Sequence, residues 1–271
     1  MNVLAFDIET VPDVAAGRRL HELGDLPEQD VVTAMQAARR EQTGGRDFLP
    51  PHLHRVVAIS VGLRQGDRFR VWSLGEADAD EPELVRRFYA GIERFQPDLV
   101  SWNGTGFDLP VLHYRSLLHG VAAPRYWETG DSDQPFRWNN YLNRFHWRHL
   151  DLMDVLAGFQ GRATARLEEI ALMLGLPGKL GMHGSLVWDR FRDGDVQAVR
   201  DYCETDVLNT YLVYLRFQLV RGHLDAVEYA REEERVAEFL TENRDRTHFD
   251  EFLEQWERRP VYGNGGMDGE A

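Results

Sequence analysis

The order of strand-like and helix-like stretches limits this chain to few folds. Residues 3–9, VLAFDIE, read as a buried strand that runs into a polar edge. Residues 56–64 (VVAISVGLR) and 69–74 (FRVWSL) alternate apolar and polar positions, and the QGD between them is a hairpin signal. From there helices and strands take turns. EPELVRRFYAGIERF (81–95) has helical periodicity, with Leu84, Phe88 and Ile92 on one side. DLVSW (98–102) is a short apolar strand, NGTGFDLP turns the chain into the helix PVLHYRSLLHG, and HWRHLDLMDVL supplies a last strand. Three meander strands followed by strands joined through crossovers predict a mixed sheet with helices on its faces, an α/β fold.

An insertion, roughly residues 12–54, separates the first two strands. It holds a helical stretch (QDVVTAMQAARREQ) and ends in the breaker FLPPHLH. After the last strand come a short helix (RLEEIALMLGL), a glycine-rich loop (LPGKLGMHG) and a long helix over 195–221. Charged helices are expected over 224–258, and the tail VYGNGGMDGEA is expected to lack structure. No repeat or linker marks a second domain. We expect one domain over 1–222, helices over 223–260 extending it, and a tail over 261–271; 271 residues is about the upper size for a single core.

No apolar run reaches about 18 residues, so no membrane-spanning helix is expected. MNVLAFDIET lacks the basic start and small-residue cleavage site of a signal peptide. The single cysteine, Cys203, cannot form an internal disulfide. Together these point to a cytoplasmic location. The net charge of −14 and pI of about 5.2 argue against a protein that holds phosphates by bulk positive charge. Solubility is one reason for such a charge. Metal ligation is a sharper one, because bound cations cancel the charge of their ligands.

Three stretches place acids where a metal would use them. In D-x-E, Asp7 and Glu9 lie two apart on the first strand and share a face with Val3 and Ala5, while Leu4, Phe6 and Ile8 share the other. Two anions held side by side at the end of an apolar strand repel, and a cation relieves both. In N-G-T-G-F-D, Asp108 sits at the mouth of a helix; taken alone it is an N-cap. Asn103 and Phe107 add an amide and a ring beside it. On the long helix, Tyr202 and Asp206 lie one turn apart, along the edge of an apolar stripe of Val196, Val199, Cys203, Val207, Thr210 and Tyr214. Asp201 and Glu204 point elsewhere and are expected in solvent. Cys203 reads as a small buried hydrophobe.

D-x-E on the first strand, N-G-x-x-F-D after a later strand and Y-x-x-x-D on a late helix resemble, in that order, the three motifs of the DnaQ-like (DEDD) 3′–5′ exonucleases. The chain looks most like the exonuclease domain of family B DNA polymerases, here standing alone. The resemblance runs from Asp7 to about Leu219 and takes in HLDLMDVL and PGKLGMHGSLVWDRF. One branch of these enzymes has histidine five residues before the last aspartate, where this chain has Asp201. The other has tyrosine four before it, and Tyr202 fits that tyrosine (DEDDy) branch.

The resemblance implies a ribonuclease H-like fold, a five-stranded mixed sheet flanked by helices. It implies two divalent ions, Mg²⁺ or Mn²⁺, about 4 Å apart. Asp7 would bridge both. Glu9 and Asp206 would hold the ion that activates water, and Asp108 the ion near the leaving 3′ oxygen. Tyr202 would orient the attacking water. Thr10, Asn103, Phe107 and Lys179 are candidate substrate contacts; Lys179, the only lysine, lies in the glycine-rich loop. The implied partner is the 3′ end of a single-stranded nucleic acid, DNA before RNA. Two alternatives stay open, an exoribonuclease of the same superfamily and a catalytically silent nucleic-acid-binding module. Smaller expectations are helix initiation or a solvated edge for Asp151 and Asp154, ahead of a role near the site, core roles for His146 and His149, and a solvated face for 231–239. Trp138, Tyr141 and Phe145 form either a single-strand platform or packed surface.

Overall fold

The computed structural model describes residues 1–258. β1 (Asn2–Pro12), β2 (His54–Gln65) and β3 (Arg68–Ser73) form an antiparallel meander. β4 (Asp98–Ser101) and β5 (His149–Asp151) run parallel to β1 on its other side, giving the order β3-β2-β1-β4-β5. This is the expected mixed five-stranded sheet. The β2–β3 hairpin closes between Gln65 and Arg68, and Gly66 supplies the positive φ (60°) at the first loop position.

Helices cover both faces of the sheet. α3 (Glu81–Phe95), α4 (Asp108–His119) and α5 (Pro124–Trp127) lie on one. α6 (Leu152–Leu156), α7 (Leu167–Met173), α8 (Val187–Arg192) and the long α9 (Val196–Val220) follow β5. β1 serves both layers because its side chains alternate. Leu4, Phe6 and Ile8 pack with Leu84, Phe88, Leu109 and Leu112, whereas Val3 and Ala5 pack with Val207, Leu208 and Tyr211 of α9. A Cβ on Gly62 of β2 would come within 2.9 Å of Val207 Cγ1, so α9 lies directly on the sheet there.

The insertion folds as two helices, α1 (Val14–His21) and α2 (Glu28–Thr43), where periodicity showed only the second. They close over a small core of Val31, Met35, Leu49 and Leu53. Its first residues are tied down by charge. Arg115 of α4, itself buried, donates to Asp13 Oδ2 at 2.5 Å and forks onto Glu81. Glu81 also takes the Val56 N–H at 2.6 Å, so insertion, sheet and both flanking helices meet at one buried ion network.

Two surface expectations are corrected. α9 is buried almost all round from Tyr202 to Leu215, because α10 (Ala226–Glu242) and α11 (Thr247–Glu257) cover its outer side. Glu204 is therefore 1% exposed, and it accepts from Ser73 Oγ (2.7 Å), Arg246 (2.8 Å) and His248 Nε2 (3.0 Å). The 231–239 face is not uniformly solvated. Glu232 within it is buried and takes the Arg64 fork at 2.6 and 2.8 Å. The 261–271 tail lies outside the described residues.

Candidate active site

β1, β4 and β5 all point their C-terminal ends to one edge of the sheet, where α/β proteins gather ligands. β4 leaves β1 after Val100 pairs with Ala5, so the rest of β1 has an open edge. The 102–107 turn and α4 fill it. Asn103 adopts a left-handed conformation (φ 66°). A Cβ on Gly104 would meet Ser101 Oγ at 2.2 Å and Cβ at 2.6 Å, so the turn needs a glycine there for close approach; a Cβ on Gly106 would press on Asn103 Oδ1 at 2.4 Å and displace that amide. Asp151 holds it from β5, accepting from the Asn103 and Thr105 amides at 2.9 Å each, and also caps α6. Helix initiation, one of the two readings for Asp151, is thus correct, and Asp151 is buried.

Asp108 is the first residue of α4 and not its N-cap. Its Oδ1 reaches across to accept the Ile8 amide at 3.3 Å, the donor that β4 leaves unpaired. The cap reading fails because β1's open edge competes for the carboxylate. Asp7 and Glu9 turn to the α9 side. Cys203 comes down over Asp7, its thiol donating to Asp7 Oδ2 at 3.5 Å. Ligand-type atoms of Asp7, Glu9 and Cys203 all lie within 4.8 Å of one another. Asp206, one turn on, is buried, and its Oδ1 has no hydrogen-bond partner among the described residues. Its Oδ2 lies 4.0 Å from Lys179 Nζ, which donates to the Tyr202 hydroxyl. The Lys179 loop is pinned to α9 by Asn209, which accepts from Gly178 N (3.3 Å) and donates to Gly178 O (2.9 Å).

Four carboxylates thus share a site with one nearby ammonium, and their proton affinities rise. Burial, then repulsion from Asp108, Glu9 and Asp206, pushes Asp7 well above the carboxylate range. Glu9 rises through burial and Asp206, against the pull of Lys179. Burial pushes Asp108 up to about 7 and Asp206 up to about 6, the latter tempered by Lys179. Burial and the surrounding acids raise the Tyr202 phenol and the Cys203 thiol, so both keep their protons at neutral pH. Cys203 is accordingly a packed donor rather than a thiolate ligand, in line with its reading as a buried hydrophobe.

The remaining candidates divide. Thr10, Asn103 and Phe107 sit at the same edge; Thr10 Oγ1 is 2.9 Å from His54 Nδ1, and the Phe107 ring meets His54 edge-on at 4.9 Å. His149 is a core residue bonded to Ser101 Oγ at 2.8 Å. Tyr141 is buried, giving its hydroxyl to Pro97 O at 2.8 Å, while Trp138 and Phe145 stay exposed. Asp201, Glu204 and His248 form a second cluster, but Arg246 already balances it. Asn209 and His54 stand beside the site and were missed by sequence reasoning, which also ranked a place near the site for Asp151 below helix initiation. Their partners lie 31 to 48 residues away, too far for local periodicity to show.

A mixed sheet in this order, carried between helices, is that of a ribonuclease H-like exonuclease domain. Residues 46–256 match the model of a family described as a predicted 3′-5′ exonuclease related to the exonuclease domain of PolB, and the chain belongs to that family. The match begins after β1, so Asp7 and Glu9 are joined to the matched segment by the geometry above. Nucleic acid is the substrate such a family implies. No helix among the described residues is long and apolar enough to cross a membrane.

Proposed function

We propose that the protein is a DEDDy-type 3′–5′ exonuclease that releases nucleotides from single-stranded DNA ends at Asp7, Glu9, Asp108 and Asp206. One observation carries the reading: four carboxylates crowd a buried site with a single nearby ammonium, and Asp206 Oδ1 has no hydrogen-bond partner among the described residues. Such a set fits divalent cations, whose hard charge oxygen ligands suit. When bound, two Mg²⁺ or Mn²⁺ ions supply an activated water and neutralise charge on the phosphate and leaving oxygen. Tyr202 stays a phenol and accepts from Lys179; its O–H is directed at the Asp206 carboxylate, beside which it would orient the attacking water. Lys179 adds charge where a phosphate would lie. Asn103 and Phe107 hold the last nucleotide by hydrogen bonding and stacking. Kinship with the exonuclease domain of PolB supports DNA over RNA.

A digestion panel tests this. Single-stranded DNA, duplex DNA and RNA, labelled at either end, are incubated with Mn²⁺ or Mg²⁺ or with neither. We expect cation-dependent mononucleotide release from 3′ ends, fastest on single-stranded DNA. Endonucleolytic products, or no release with either metal, would sink the proposal, and faster RNA digestion would turn it to an exoribonuclease.

The same acids predict a pH-dependent metal response. A carboxyl whose folded pKa is raised stabilises the fold while protonated, and that contribution is lost as pH rises through the folded value. With Asp206 at about 6 and Asp108 at about 7, the metal-free site is most strained at pH 8. Mn²⁺ at about 100 times its Kd should raise Tm at pH 8 by roughly 5–10 °C. At pH 5.5 protons compete and the rise should shrink to a small fraction. Taking the difference between metal-bound and metal-free Tm at each pH cancels the buried histidines. A pH-independent shift would refute the assignment of these acids.

A further inference from the structure

The insertion ends beside the site in a way the proposed chemistry does not use. Leu49 fills the insertion's small core, whereas its neighbour Phe48 turns outward and is 63% exposed. Phe48 is still held in place: its carbonyl accepts from Arg39 Nε at 3.1 Å, and its ring lies 5.1 Å from His54 and 5.3 Å from Phe107. Three rings, two from the end of the insertion and one from the 102–107 turn, therefore form one wall, next to Asp108. An exposed phenyl fixed against a second ring is a ready surface for a flat apolar group.

Behind that wall His54 settles the polarity of Thr10. The buried His54 ring faces Leu49 O through Nε2 at 3.1 Å. A carbonyl can only accept, so Nε2 carries the hydrogen and Nδ1 is the bare nitrogen. Nδ1 then accepts a hydrogen bond from the Thr10 hydroxyl at 2.9 Å. Thr10 Oγ1, next to Glu9 on β1, is left with lone pairs alone. It welcomes a donor and repels an acceptor.

We infer that Phe48 and His54 complete the subsite for the last nucleotide of the strand: Phe48, with Phe107, stacks on its base, and His54 fixes Thr10 to accept its 3′-hydroxyl hydrogen. This deepens the exonuclease reading and rests on it. Phe48 is a substrate-contacting residue, and His54 is a positioning residue that acts through Thr10. The insertion thereby gives the enzyme its preference for intact, hydroxyl-terminated 3′ ends.

The test uses the full chain with Mn²⁺ and oligonucleotides ending in a normal nucleotide, an abasic residue or a 3′-deoxy nucleotide. Phe48→Ala should raise KM for the normal end about 10-fold, with most of the effect gone on the abasic end and most of it restored by Phe48→Trp. His54→Phe, which keeps the ring but removes the acceptor, and Thr10→Val should each erase the wild-type preference for a 3′-hydroxyl over a 3′-deoxy end. An equal effect of Phe48→Ala on normal and abasic ends, or a preserved hydroxyl preference in both other variants, would overturn the inference. A wild-type protein that digests no 3′ end would instead defeat the exonuclease reading. The subsite is then judged by binding an oligonucleotide with 2-aminopurine at its 3′ end: quenching by wild type and not by Phe48→Ala supports it, and equal quenching overturns it.

Discussion

Asp7→Asn should leave a folded protein whose nucleotide release is at least about 10³-fold slower and which, without metal, melts higher than the wild type. The two effects have one cause. Asp7 stands at the middle of the acid cluster, its proton affinity raised by burial and by Asp108, Glu9 and Asp206. Asn is nearly the same shape but cannot ionise, so it removes repulsion that the metal-free fold otherwise bears at pH 8. It also removes the ligand that the proposed chemistry asks to bridge both ions. A site that costs stability while empty is common where function needs strain. Asp206→Ala should lose activity equally. The checks are end-labelled digestion with Mn²⁺ and metal-free melting curves at pH 8. An active Asp7→Asn variant would end the proposal. An inactive one that melts lower would mean that Asp7 holds the fold together instead.

Arg115→Ala should have the largest effect on stability among the ion pairs. Arg115 is buried between Asp13 and Glu81, and its burial is tolerable only because both carboxylates face it. Deleting it strips the guanidinium from two buried acids and leaves Glu81 with His119 as its remaining basic side-chain partner, which costs about 3–5 kcal/mol. In a chain of this length that lowers Tm by roughly 10 °C. Arg115→Lys should recover little, because an ammonium cannot serve Glu81 through a fork and reach Asp13 as well. Exposed pairs make the contrast: losing Arg87, on the surface with Glu83, should cost well under about 1 kcal/mol. Denaturant melts of these variants settle the matter, and a loss below about 1 kcal/mol for Arg115→Ala would contradict it.

What could be seen in the sequence were the features set by neighbours in the chain. Alternation along 3–9 showed both faces of β1 and put Asp7 and Glu9 together. Helical spacing put Tyr202 and Asp206 one turn apart. What could not be seen depended on what docks where. The expectation that Glu204 is solvated treated α9 as a surface helix, but α10 and α11 cover that side, and Ser73, Arg246 and His248 satisfy the carboxylate. Asp108 looked like a cap because local geometry favours one; the competing Ile8 amide lies 100 residues away. His54 had no legible role at all, since its meaning comes from Leu49 on one nitrogen and Thr10 on the other.

The cover over α9 bears on where this enzyme can be cut. Every residue of the proposed active site lies before position 222, which invites a shorter version ending there. Yet Val236, Phe239 and Leu240 of α10 and Phe249, Phe252, Leu253 and Trp256 of α11 belong to the same core as β1 and α9. A chain ended at 222 would carry the full catalytic set on a helix with one side stripped to water, with Glu204 keeping only Ser73 after losing Arg246 and His248, and with Arg64 losing the Glu232 carboxylate. The last two described helices act as the second half of a clamp whose first half is the sheet.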